Sequence, residues 1–334
     1  MGRTRARAAV AAAGLWLGAV LGAIAAASGA LAQQAAPELT VGTLENGTVN
    51  WELRTIADRG LDRENGFRLK VVPLAGNPAT QIAMQGGAVD AIVSDFLWVA
   101  QQRAAGAGFA FLPYSTAVGG LVVPADSPVR DLAELSGRSI GIAGGPVDKS
   151  WLILRAYGRL RTGEDLAATT RQVFGAPPVI RNAAETGEVD AAVNFWHFLA
   201  KMKAGGMREV VSVAQASAAL GLDPATPLLG YVLRDDWIAD HPDLARGLAR
   251  ASRQAKRILS EDPAAWQAIR PIMDAASEAE FQALRDGWIA GIPPEGPVDA
   301  AGAQRMFAVM AELGGEDLTG GLQTLPEGLF WSGE

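Results

Sequence analysis

The chain has 334 residues, no cysteine and only two histidines. The first absence removes disulfides, thiolate metal sites, cysteine nucleophiles and a lipid-bearing N-terminal cysteine together. The second leaves no histidine-based metal cluster and no Ser-His-Asp triad to assemble, so an enzyme would have to work with carboxylates or lysine alone. No catalytic group, metal or cofactor is expected. The chain also lacks a G-x-x-x-x-G-K-[ST] loop and the G-x-G-x-x-G fingerprint, so nothing supports nucleotide binding. Basic residues number 29 against 36 acidic ones, for a formal charge of −7, and they form no stripe. A nucleic-acid partner is therefore not expected.

One long apolar run is present, at the N-terminus. Arg3, Arg5 and Arg7 precede an almost wholly apolar stretch from Ala8 to Ala27, and Ala30-Leu31-Ala32 has the small-x-small pattern of a signal-peptidase site. An export leader over residues 1–32, cleaved after Ala32, is expected. The other reading, an uncleaved anchor, is disfavoured because Ala and Gly dominate the run and make a poor lipid-facing helix. Loss of the three leader arginines takes the charge to about −10. Export without lipidation or disulfides fits a Gram-negative periplasm. The remaining residues, about 300, are near the size at which one core divides into two.

Two stretches resemble each other, GAVDAIVSDFLWVA from Gly87 and GEVDAAVNFWHFLA from Gly187, 100 residues apart. In each, a glycine ends a helix, Val-Asp-Ala-x-Val supplies a short buried strand, and a small polar residue, Ser94 or Asn194, is expected to cap the next helix. Around them strands and helices alternate. Glu38 to Thr43 reads as a strand, Val49 to about Arg59 as a helix, Arg68 to Leu74 as a strand, and Asn77-Pro78 as a helix start with proline in the first turn. Units this short imply βαβ crossovers and mainly parallel sheets. Gly119 to Pro124 and Leu228 to Leu233 read as two crossing segments. The chain is thus expected to be an α/β protein of two lobes, residues 38–120 plus 224–334 forming the first and 121–223 the second. The helices beyond Pro242 are expected to pack on the first lobe's sheet.

The order of strand, Asn77-Pro-Ala helix, GAVDA, SPVRDLAELSGRSIGIAGG, GEVDAAV and HPDLARGLARA resembles the type II periplasmic solute-binding proteins of ABC importers. The resemblance is to the nitrate, sulfonate and taurine branch, which also includes binders of the thiamine pyrimidine precursor. It implies the two-lobed type II fold, each lobe a mainly parallel sheet flanked by helices, with two crossing strands as hinge. It implies a monomer that captures a small-molecule solute between the lobes and delivers it to an inner-membrane permease with its ATPase. No single ligand subclass is matched, so the solute is not carried over; a pyrimidine or another aromatic nutrient is the alternative cargo. Relatives that make the thiamine pyrimidine share the architecture but depend on a cysteine-rich motif absent here, so a binding protein rather than an enzyme is expected. A periplasmic sensor domain is the third reading.

Matched residue by residue, the resemblance implies ligand contacts from Thr43, Asn46 and Thr48 after the first strand and Asn77 after the second. From the first repeat come Ser94, Asp95 and Trp98. The glycine turn gives Gly144, Gly145 and Lys149, and the second repeat Asn194, Trp196 and His197. Each has a structural alternative. Thr43 and Thr48 could cap the helix that begins near Val49, and Asn77, Ser94 and Asn194 could likewise be caps. Asp95 would repel a bound anion, so it either complements the helix dipole or meets a positive or hydrogen-bonding group on the solute. Gly144-Gly145-Pro146 lets backbone approach a bound group closely, with Lys149 one turn into the following helix. Trp98 and Trp196, with Trp51, are either cleft walls or core.

Overall fold

Strands and helices alternate through residues 36–334, the part of the chain that the computed structural model describes; the expected leader over residues 1–32 lies outside them. The first seven elements are β1 (Glu38–Leu44), α1 (Val49–Asp58), β2 (Arg68–Leu74), α2 (Asn77–Gln85), β3 (Ala91–Asp95), α3 (Phe96–Ala104) and β4 (Phe109–Ser115). Then come β5 (Gly120–Val123), β6 (Ser139–Ala143), α4 (Lys149–Thr162), β7 (Arg171–Gly175), α5 (Pro177–Glu185), β8 (Ala191–Asn194), α6 (Trp196–Ala204), β9 (Arg208–Ser212) and α7 (Val213–Ala219). The chain returns through β10 (Leu229–Arg234) and ends in α8 (Pro242–Glu261), α9 (Pro263–Ile269), α10 (Glu278–Ala290) and α11 (Ala300–Thr319). Shorter helical turns are left unlabelled.

Two five-stranded sheets result, in the orders β2-β1-β3-β10-β4 and β7-β6-β8-β5-β9. Strands β1, β2 and β3 run parallel, as do β6, β7 and β8, while β10 and β5 are each antiparallel to both neighbours. The antiparallel strand of each sheet is the one the chain enters after leaving the other sheet. The segments Gly119 to Pro124 and Leu228 to Leu233 are therefore largely these inserted strands, and the crossings lie just before them. Central strands are covered on both faces, which is why β5 (GLVV) and β6 (SIGIA) are buried throughout and read as continuous small or apolar runs.

The repeat has a physical duty at nearly every letter. Gly87 and Gly187 sit at φ 68° and 78°, a left-handed conformation that glycine adopts without a Cβ penalty. The next residue's N–H then bonds back to close the helix, Ala88 to the Ala83 carbonyl and Glu188 to the Ala183 carbonyl. The aspartates that follow do one job twice: Asp90 Oδ2 accepts the Thr40 backbone N–H at 2.8 Å, and Asp190 Oδ2 accepts that of Ser139 at 2.8 Å. Each carboxylate thus ties the start of a central strand to its neighbour. The caps differ from expectation by one residue. Asp95, not Ser94, caps α3 by accepting the Trp98 N–H at 3.0 Å. Asn194 does not cap α6: its Oδ1 takes the Phe195 N–H and its Nδ2 donates to the Pro177 carbonyl.

The C-terminal helices divide between the two halves rather than all covering the first sheet. Helix α8 packs on α1, but α10 packs on α6 and α11 on α4. Glycines permit both of the latter approaches. A Cβ at Gly287 would stand 3.0 Å from the Trp196 ring, and one at Gly314 would stand 2.6 Å from Leu318 and 3.1 Å from Leu152. Beneath α1 and α8 lies a buried ion pair in which Glu52 accepts from Lys256 Nζ and, at 2.8 Å, from the Tyr231 hydroxyl; Lys256 also donates to Ser252 Oγ at 2.8 Å. Removing one partner from such a pair would strand a buried charge, so the network specifies how α1, β10 and α8 meet.

Candidate functional site

A cavity of about 250 Å³ opens where the C-terminal ends of the parallel strands in the two sheets face each other. This placement follows from topology: in open α/β sheets the loops after strand C-termini leave a crevice, and their helices aim unpaired N–H groups into it. From the first sheet it is lined by Thr43 at the end of β1, Thr48 at the start of α1, Asn77, the Ser94-Asp95 pair that ends β3, and Tyr114 near the end of β4. From the second come Asp148, Lys149 and Ser150 at the start of α4, and Phe195, Trp196 and His197 at the start of α6. Val118 and Gly119, on the crossing into β5, complete one wall.

Eight of the residues singled out from sequence therefore meet at this cavity: Thr43, Thr48, Asn77, Ser94, Asp95, Lys149, Trp196 and His197. Five do not line it. Asn46 is exposed on the loop after β1. Trp98 is core, its ring stacked on Phe109 at 5.5 Å. Asn194 is buried and spent on the two backbone bonds described above. Gly144 and Gly145 form the turn into α4, where the Gly144 N–H bonds the Gly175 carbonyl and the Gly145 carbonyl accepts from the Asp148 N–H.

Charge in the cavity is arranged across the two halves. Asp95 uses Oδ1 to cap α3 and Oδ2 to hold Lys149 Nζ at 3.0 Å, so one residue from each half meets in an ion pair. Burial works against the Lys149 ammonium, but the Asp95 carboxylate outweighs it and the ammonium is held above its ordinary range. Asp148 caps α4 by accepting the Trp151 N–H at 3.0 Å. Burial pushes its carboxyl up to about 6, against the pull of the Trp151 N–H and the Lys149 charge. Burial, with a smaller contribution from Lys201, holds His197 down at about 4, so its ring is neutral at pH 7. No arginine lines the cavity.

Two polar atoms there lack a protein partner. Thr43, only 2% exposed, has a buried Oγ1 with no hydrogen bond, and His197 Nδ1 is likewise buried and unbonded. Neither Thr43 nor Thr48 makes a side-chain cap to α1. A buried polar atom without a partner costs about 1–3 kcal/mol, and it is most often met by water or ligand. The aromatic wall is fixed from behind. Trp196 meets Trp51 edge to face at 6.0 Å, and Trp51 in turn meets Trp266 at 6.1 Å. The Tyr114 hydroxyl accepts the Trp288 indole N–H at 3.0 Å. Tyr114, Phe195 and Asp148 were not singled out from sequence. Asp148 had a readable signal, an aspartate three residues before Trp151 at a helix start, masked by the glycines beside it.

Among the described residues no group of three or more His, Asp or Glu side chains could hold a metal ion. No helix among them is long and apolar enough to cross a membrane.

Residues 57–265 match the model of the family described as NMT1/THI5 like. The chain belongs to that family. Its fold is that of the alkanesulfonate-binding protein SsuA from Xanthomonas axonopodis pv. citri, solved bound to MOPS: 17% identity, TM-score 0.67, covering 89% of this chain and 99% of that one. The periplasmic aliphatic sulphonate binding protein SsuA from Escherichia coli is similar at 17% identity and a TM-score of 0.66, covering 84% and 87%. The periplasmic nitrate-binding protein NrtA from Synechocystis PCC 6803 follows at 13% identity and 0.53, covering 76% and 70%. Family and fold together make this a two-lobed periplasmic-binding-protein architecture. No curated protein sequence matches the chain.

Proposed function

We propose that this chain is the solute-binding component of an ABC importer, exported to the periplasm by its N-terminal leader and working as a monomer with a membrane permease and its ATPase. It captures a small polar organic solute between its two lobes, residues 38–120 with 224–334 and residues 121–223, with α10 and α11 of the first reaching across to pack on α6 and α4 of the second. The observation that carries this reading is a single cavity drawn from the strand ends of both sheets, with Thr43 Oγ1 and His197 Nδ1 buried in it and unbonded. A solute touching both halves stabilises the closed arrangement by its differential affinity for it, with the crossings before β5 and β10 as hinge, and the closed form is what a permease reads. The reading is of a binding protein and not an enzyme. Lys149, the one lysine of the cavity, is held as a charged ammonium by Asp95, and an ammonium has no lone pair with which to attack a substrate.

Native mass spectrometry of the protein after incubation with a broad small-molecule extract tests this. One stoichiometric adduct is expected, and Thr48→Phe, which fills the cavity from a half-buried position, should abolish it. No adduct, or one that survives Thr48→Phe unchanged, would overturn the reading.

A further inference from the structure

The charges in the cavity do not balance. Lys149 is already engaged by Asp95 at 3.0 Å, while Asp148, on the same cavity wall, has no ion pair of its own among the described residues. With no arginine in the lining and His197 neutral, the two carboxylates outnumber the one ammonium. A simple anion entering here would face both carboxylates, and the only cation is one whose charge Asp95 has met. A cation would face the opposite situation. Burial already disfavours the ionised form of Asp148, as its raised pKa reports, and a positive group brought beside it would relieve that penalty.

We propose that the solute is a net cation, its positive charge on a protonated nitrogen, and that Asp148 is its counter-ion in the cavity. The proposal rests on the receptor reading above. Asp148 reaches the solute from the start of α4 without giving up its cap, because Oδ1 serves the Trp151 N–H and an ionised carboxylate has about four acceptor positions in all. The unbonded Thr43 Oγ1 and His197 Nδ1 lie on the same cavity and can take a polar group elsewhere on the solute. Phe195 and Trp196 add aromatic side chains to the lining, which suit a cationic or flat ligand. The Asp95–Lys149 pair then acts as an internal standard of charge. It neutralises itself and leaves selectivity to the unpaired carboxylate.

The test uses yeast extract as the probe, passed over a strong cation exchanger at pH 3 and split into a retained and an unretained fraction. Each fraction is titrated against the full-length protein and the Asp148→Asn variant by thermal shift. Asparagine keeps the cap, and the ligand-free melting point confirms that the variant folds. The expected result is a shift from the retained fraction only, with Asp148→Asn needing at least ten times as much to reach half of it. A shift from the unretained fraction alone would overturn the proposal while leaving the receptor reading standing, and so would an equal or stronger response from Asp148→Asn. No shift from either fraction or from unfractionated extract would count against the receptor reading itself, and the proposal would fall with it.

Discussion

Asp148 and His197 face the same cavity and pull stability in opposite directions as pH changes, so removing either should expose the other. His197 is held at about 4 against an ordinary 6.5. Between those values the unfolded chain takes up a proton that the folded chain refuses, so its contribution to stability is full above pH 6.5 and lost as pH falls toward 4. Asp148 is raised from 3.8 to about 6. Here the folded chain binds the extra proton, so its contribution grows as pH falls from 6 toward 3.8. At about 1.4 kcal/mol per pKa unit the His197 contribution is worth at most about 3.5 kcal/mol and that of Asp148 about 3 kcal/mol, and between pH 4 and 6 they nearly cancel. Urea denaturation of ligand-free protein from pH 4 to 7 measures this. Relative to the parent, Asp148→Asn should lose roughly 2–3 kcal/mol between pH 7 and 4, and His197→Gln should gain a similar amount. The remaining carboxylates titrate alike in all three proteins and drop out of the differences. Two variants that track the parent in parallel across this range would refute the reasoning.

Gly119→Ala places a Cβ 1.9 Å from the Asn194 carbonyl oxygen, so the crossing into β5 must move; a loss of about 2–4 kcal/mol is expected by chemical denaturation, and a loss within 0.5 kcal/mol would contradict the tight contact. Lys256→Met strands the buried Glu52 carboxylate and should cost about 3–5 kcal/mol, most of it recovered when Glu52→Leu is added. Absence of coupling in that double-mutant cycle would show the pair to be independent. Asp90→Ala and Asp190→Ala should each lose roughly 1–3 kcal/mol, because each removes the acceptor of a strand N–H in matching geometry. A large effect at one and none at the other would deny the repeats a shared role.

Much of the architecture was legible because the chain states it locally. The glycine, aspartate and apolar letters of the repeat each answer a requirement of a helix end or a central strand, so two copies announced two equivalent sheets. What failed was anything decided between distant segments. Asn194 looked like a cap, but its amide is taken by the Pro177 carbonyl at the start of α5. Trp98 looked like a wall, yet it stacks on Phe109 from the next strand. The helices past Pro242 carry apolar faces that fit either half, and the small residues Gly287 and Gly314 decide where two of them go. The cavity's charge was the least readable of all. Asp95 was recognised as awkward for an anion, but its partner Lys149 lies 54 residues away on the other sheet's helix, and Asp148 was hidden beside the glycine turn.

The central claim is that one solute bridges both halves of the molecule. Hydrogen exchange of the protein with and without the stabilising fraction of the extract tests it most directly. Protection should rise together at residues 43–49 and 94–98 of the first half and at residues 148–152 and 195–199 of the second. Protection confined to one half, or appearing away from these four segments, would contradict the account.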